Sequence, residues 1–301
     1  NWTALATGAR ASKSGITGFA FHKPGTSLKS KIFGPAAFVD FRNAEFIWEA
    51  AADQGRKTIL INYPFGWHSR ESENTVIVGG DTIAGGIPQI ADCGCFCSRD
   101  RAEVIEDGKI CEVTPGDDGY EGDILLSSGF RYEWTATGVE RLEDASSPDA
   151  NLGLRVKMSA TELAILRPDG TDAARLKPGE WSDYFSVPFQ SRKAWLRFFL
   201  ADLGSGGKSF VLFHSPLTWD QGWTKPASLA TELCAKAGPY QQAVETKGNL
   251  FTKGWFGDYA LEANLRLLSD CGKLFADYAR ILTKEYPEWS MLYAQLHSTD
   301  G

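Results

Sequence analysis

The sequence predicts an α/β protein in which a parallel sheet covered by helices is interrupted by a long β-rich insertion. Three observations carry that expectation. Between residues 44 and 63 a helix-period segment, a glycine and a strand apolar on both faces follow one another, the order expected of a covered parallel sheet. From about residue 93 to residue 225 short strands punctuated by turn dipeptides replace that pattern. Helical periodicity then returns after Pro226.

In chain order, Asn1 is placed to cap a short helix through Trp2, Leu5 and Ala6 that stops near Gly8. A loop containing glycine and lysine extends from Gly15 to about Gly34. Residues 44–54 form a helix with Phe46, Ile47, Ala50 and Ala51 on one face and Gly55 as its stop. Residues 57–63 are a continuous β-prone run closed by Pro64, and 74–78 are a second one ending at Gly79 and Gly80. Within the insertion, 163–166, 195–200 and 210–213 read as sheet-core strands, separated by turns such as Pro168-Asp169-Gly170 and Pro178-Gly179. The return of helical period places Leu267, Leu268, Cys271, Leu274, Phe275, Tyr278, Ile281 and Leu282 on one face of an amphipathic helix. Pro287 ends it, and 291–296 read as a short buried strand. His297 to Gly301 then follow the carboxyl end of that strand, the edge where open α/β sheets bind ligands. The expected organisation is a core made of 1–92 and 226–301, with 93–225 inserted.

At 301 residues the chain suits one large core, or a core plus an insertion. Its formal charge of -7 gives no footprint for a nucleic-acid polymer, although a bound metal could still supply positive charge to a small phosphate. No apolar run approaches the ~20 residues of a membrane-spanning helix. The sequence opens on Asn1 and shows no signal peptide. Cys93, Cys95 and Cys97 stand in a C-x-C-x-C run, closer together than zinc ligands usually are and with no distant second pair. Reduced thiols or a local disulfide are the expected reading.

Two segments carry a family resemblance. Residues 1–8, NWTALATG, are followed by Ser14-Gly15-Ile16-Thr17, and residues 293–300, YAQLHSTD, close the chain. Both resemble the type I phosphodiesterase/nucleotide pyrophosphatase family of the alkaline phosphatase superfamily. A softer likeness lies in residues 176–182, in Ser215-Pro216 and in Gly238-Pro239-Tyr240. The resemblance implies an alkaline-phosphatase-like core sheet covered by helices, with the β-rich region inserted. It implies a nucleophilic Thr or Ser just upstream of Asn1, with Asn1 binding the substrate, and it makes Asp300 the first member of an Asp-x-x-x-His metal pair. Residues 1–301 by themselves are therefore expected to be inert. Ser14 stands where the family has a His, and Phe19 where many nucleotide pyrophosphatases have a phosphate-binding Asn.

The implied chemistry is physically coherent. A Thr hydroxyl needs metal coordination or a base to become a nucleophile. Two zinc ions, the implied cofactor, would stabilise the attacking and leaving oxygens together. The implied reaction is hydrolysis of a phosphodiester or pyrophosphate in a small phosphorylated substrate, a nucleotide among the candidates. Within the superfamily the alternatives are a phosphomonoesterase or a phosphonate hydrolase. Outside enzymes, the alternative is a non-catalytic module that binds a phosphorylated ligand or a glycan. Taken alone, Asn1 reads as a helix cap and Asp300 as a turn residue. None of His22, His68, His214 and His297 lies four residues after an Asp. The run 206–209, GGKS, has Asp202 where a phosphate loop requires its first glycine, so it reads as a hairpin turn. Trp181, Trp195, Trp219 and Trp223 could line a sugar or nucleoside site, but packing inside the insertion is the simpler expectation.

Overall fold

The structure is a computed structural model. It describes residues 2–16, 20–21, 27, 32–33, 43–67, 69–80, 89–91, 93–103, 108–126, 131–135, 138–142, 152–189, 192–241 and 258–296. Helices and several sheets are mixed, and strand outweighs helix. Contacts divide the described residues into two compact units. The first falls within Asn1–Pro88, Gln221–Tyr240 and Lys273–Thr299, the second within Gln89–Asp220 and Gln241–Gly272. Among the described residues after Pro226, Gln241 and 258–272 fall in the second unit.

The first unit begins with helices α1 (Trp2–Thr7) and α2 (Ala11–Ser14). The short strands β1 (Ala20–Phe21) and β2 (Ile32–Phe33) then pair antiparallel. Helix α3 (Ile47–Asp53) precedes β3 (Lys57–Ile61) and β4 (Thr75–Val78). The buried face of α3 is Trp48, Glu49 and Ala52, not the expected Phe46, Ile47, Ala50 and Ala51. Phe46 is buried just ahead of the helix, while Ile47 is 42% exposed. Glu49 tolerates burial because its carboxylate accepts from the Phe46 and Arg70 backbone N–H groups. Trp48 and Phe46 join Leu60, Tyr63, Phe65 and Ile77 in one apolar cluster.

Strands β3 and β4 are parallel, and every residue of β4 is buried. Two further strands from late in the sequence complete their sheet. These are β21 (Thr224–Lys225), antiparallel on β4, and β22 (Trp289–Ala294), parallel on β3, giving the order β21-β4-β3-β22. As the edge strand, β22 is half-buried to exposed along its length rather than the buried strand expected. Helix α4 (Leu229–Lys236) leads into Gly238 and Tyr240.

In the second unit, β5 (Gln89–Ala91), β16 (Phe185–Phe189), β17 (Arg192–Leu196) and β20 (Leu217–Trp219) form one sheet. A second sheet contains β6 (Gly94–Ser98), β7 (Lys109–Cys111), β15 (Glu180–Trp181), β18 (Phe198–Leu203) and β19 (Phe210–His214). A third contains β8 (Val113–Gly116), β9 (Gly119–Ile124), β12 (Leu154–Met158), β13 (Leu163–Leu166) and β14 (Asp172–Leu176). The strands β10 (Arg131–Thr135) and β11 (Gly138–Leu142) make a separate hairpin. The run 195–200, expected as one strand, changes sheets at Arg197, where β17 ends and β18 begins. The 204–209 segment is the turn joining the antiparallel strands β18 and β19, as expected of a hairpin. Period-two alternation puts Cys95 and Cys97 against Phe199, Val211 and Phe213, and sends Phe96 to the opposite cluster. All six cysteines are buried thiols.

Helix α5 (Asp258–Glu285) carries the expected amphipathic face. Leu267, Cys271, Leu274, Phe275, Tyr278 and Leu282 are all buried, while Leu268 and Ile281 are half-buried. Its first half belongs to the second unit because Ala263 packs with Phe199 and Phe213, and Leu267 and Cys271 pack with Trp181. No helix among the described residues is long and apolar enough to cross a membrane.

Candidate functional site

The site built by the first unit is the carboxyl edge of its three parallel strands. Register aligns Ala294 with Ile61 and Ile61 with Val78, so β22, β3 and β4 end side by side. Two of these strands, β3 and β4, leave that edge through positive-φ residues. Asn62 follows β3 at φ 50, a region Asn tolerates better than most residues. Gly79 and Gly80 follow β4 at φ 59 and φ 101. Beyond Asn62, Gly66 N–H donates to the Tyr63 carbonyl at 2.9 Å, closing a turn with Pro64 and Phe65 at its centre. Phe65 sits at φ 70, where such a turn ordinarily takes Gly or Asn. The cost, about 1–3 kcal/mol, is offset by burying the ring beside Phe46 at 6.2 Å.

Hydrogen bonds tie these strand ends together. Asn62 N–H donates to the Val78 carbonyl at 2.7 Å, and its side-chain amide donates to the Gln295 carbonyl at 3.1 Å. Tyr240 hydroxyl donates to Asn62 Oδ1. Gln295 N–H donates to the Ile61 carbonyl at 3.1 Å, and Gly79 N–H to the Trp223 carbonyl at 2.6 Å. Both glycines are required by close approach, because a Cβ on Gly79 would overlap the Tyr240 ring and one on Gly80 the Tyr63 carbonyl. Tyr240 stacks on Trp223 at 5.6 Å and on Phe275 at 5.8 Å. Gln295 is 6% exposed, and its Oε1 has no hydrogen-bond partner among the described residues. At the same edge Tyr63 hydroxyl donates to the Trp2 carbonyl at 3.5 Å. Burial, with Tyr293 nearby, pushes the Tyr63 phenol up to about 12.

Asn1 and Asp300, the two site residues expected from the sequence, lie outside the described residues, as do His22, His68 and His297. At the end of β3, Trp2 accepts a hydrogen bond from Tyr63, and Gln295 bonds with Ile61 and Asn62. His214 is buried against Phe96 and Phe198, with Nδ1 at 2.9 Å from the Ser215 carbonyl. Cys95 and Cys97 lie in β6, Cys93 just ahead of it, and all three pack in one apolar cluster. Among the described residues no group of three or more His, Cys, Asp or Glu converges as for a metal ion. Sequence reasoning missed the Tyr240–Asn62–Gln295 chain of bonds, because three residues so far apart in sequence carry no spacing signal. Comparison with family models, with curated proteins and with solved structures finds no match.

Proposed function

We propose that this chain is part of a metal-dependent phosphoesterase that hydrolyses phosphodiester or pyrophosphate bonds on an alkaline-phosphatase-like core. One observation supports the reading above the others. The NWTALATG segment and the chain ahead of the STD segment both meet the end of β3, through Trp2 and Gln295. A shared site made from segments nearly three hundred residues apart needs that convergence, and open parallel sheets bind ligands at this edge. In the proposal Asp300 serves as a metal ligand and Asn1 contacts the phosphoryl oxygens, with a Thr or Ser upstream as nucleophile. Two zinc ions, when bound, would lower the nucleophile's pKa and balance charge on the attacking and leaving oxygens. The described residues would hold the frame: Asn62, Tyr240 and the two glycines keep β3, β4 and β22 in register.

The test is hydrolysis of bis(p-nitrophenyl) phosphate by the natural full-length protein. Chelation should abolish turnover, zinc should restore it, and Asp300→Ala should lower it by about 100-fold or more. Turnover indifferent to chelation, or undiminished in Asp300→Ala, would overturn the proposal.

A further inference from the structure

Arg197 lies in the apolar run WLRFFL and is nevertheless buried, with its side chain only 8% exposed. Its guanidinium is sandwiched between the Trp181 ring at 4.5 Å and the Tyr184 ring at 4.6 Å. Nη1 donates to Asp270 Oδ2 at 2.8 Å, and the Asp270 side chain is 39% exposed. Among the described residues, the remaining edge of the fork, Nε and Nη2, has no hydrogen-bond partner, and neither does Trp181 Nε1. Nearby, Gln241 donates to Ser215 Oγ at 3.4 Å and to the Pro216 carbonyl at 3.2 Å, while its Oε1 has no partner among the described residues. Ser215 Oγ also accepts from Arg197 N–H, which places Gln241 and Arg197 in one polar cluster. Beside it opens a cleft of about 360 Å³ lined by Glu180, Trp181, Arg266, Ser269 and Asp270. That volume is within the range of small-ligand sites.

We propose that this cleft is a binding site for a neutral polyhydroxylated ligand, a saccharide. Charge selects the class. Glu180, Asp270 and Glu262, the last paired with Arg266, set three carboxylates against the two guanidiniums of Arg197 and Arg266. An anion would meet net repulsion there, and a cation would meet Arg266 at the cleft wall. Trp181 gives one ring face to Arg197, and among the lining residues it is the one aromatic, so a purely apolar ligand finds little to cover. Hydroxyl groups both donate and accept. They can therefore serve the carboxylates of Glu180 and Asp270 and the donors of Arg266 and Ser269 together. Arg197 acts as a positioning residue, because its ion pair and the two flanking rings fix where the Asp270 carboxylate stands. Another concavity of this unit, about 490 Å³, lies where Lys157 pairs with Asp118 and Arg175 with Glu162 and Asp172.

The test is titration of the natural protein, followed by tryptophan fluorescence, with maltose, cellobiose, lactose, inorganic phosphate and choline. At least one disaccharide should saturate with a Kd of about 1 mM or tighter, while phosphate and choline leave the signal of this unit unchanged. Glu180→Gln and Asp270→Asn, both on solvent-facing side chains, should weaken binding at least tenfold with circular dichroism unchanged. Arg197→Met should weaken it through the loss of Asp270 placement, and excess salt should not restore it. No saturation by any disaccharide, competition by phosphate or choline, or full affinity in Glu180→Gln and Asp270→Asn would overturn the proposal. Phosphodiester turnover is unaffected by these variants on this account, so the two proposals fail separately.

Discussion

Gly79 shows how much one missing side chain can decide. It holds φ 59 and lies under the Tyr240 ring, so Gly79→Ala meets both a left-handed backbone and a clash. The loss should be about 2–5 kcal/mol in urea unfolding, from the sum of the two penalties. Gly8→Ala is the control, since Gly8 has φ 64 but open space around its Cβ position, and only the backbone penalty of about 1 kcal/mol should appear. The cysteines make a second prediction at this scale. Burial first, then Asp123, Glu112 and Cys97, push the Cys111 thiol up to about 11, and burial raises Cys95 and Cys97 as well. Thiolate is the reactive form, so these three should resist iodoacetamide at pH 8 in the native protein and react once it is unfolded. The sign for stability follows from the raised value. The folded state keeps a proton that the unfolded chain releases, so the contribution is complete below the ordinary thiol range of about 8.5 and is lost as pH rises through about 11. The alternation of Cys93, Cys95 and Cys97 was legible as a pattern, but its meaning required the strand, since i, i+2 spacing spreads sulfurs along one face rather than around one point.

Elements with strong periodicity could be read from the sequence, and those governed by tertiary context could not. The runs at 57–63 and 74–78 became β3 and β4, because Thr, Ile, Val and Leu favour a strand covered on both faces. Helix α5 was equally readable from its three- and four-residue steps. The face of α3 was not, because Trp48 and the doubly bonded Glu49 outweigh Ile47 in what they bury. The edge position of β22 was also hidden, since strand order depends on which neighbours arrive from elsewhere in the chain. Arg197 could have flagged the change of sheets, as a charge inside an apolar run demands an explanation. Helix α5 offers a direct contrast between its faces. Leu282→Ala should cost about 2–5 kcal/mol in urea unfolding, whereas Leu265→Ala, 55% exposed, should stay within about 0.5 kcal/mol.

At the scale of the molecule, the sequence divides its labour between a unit written in helix-and-parallel-strand text and a unit written in short antiparallel strands. Segments from the start, middle and end of the chain assemble the first unit, so its sheet joins strands more than two hundred residues apart. The proposed site was read from two sequence anchors, Asn1 and Asp300, which lie outside the described residues, and the frame at the end of β3 was illegible, because Asn62, Tyr240 and Gln295 meet only after folding. The proposed site requires zinc at the carboxyl edge of β22, β3 and β4. The most direct test is a crystal structure of the natural full-length protein grown with zinc, with anomalous scattering measured on both sides of the zinc absorption edge. The account predicts zinc within about 2.0–2.2 Å of an Asp300 carboxylate oxygen, beside the ends of β3 and β22. Zinc bound only at Cys93, Cys95 and Cys97, or an Asp300 carboxylate at the opposite end of that sheet, would contradict it.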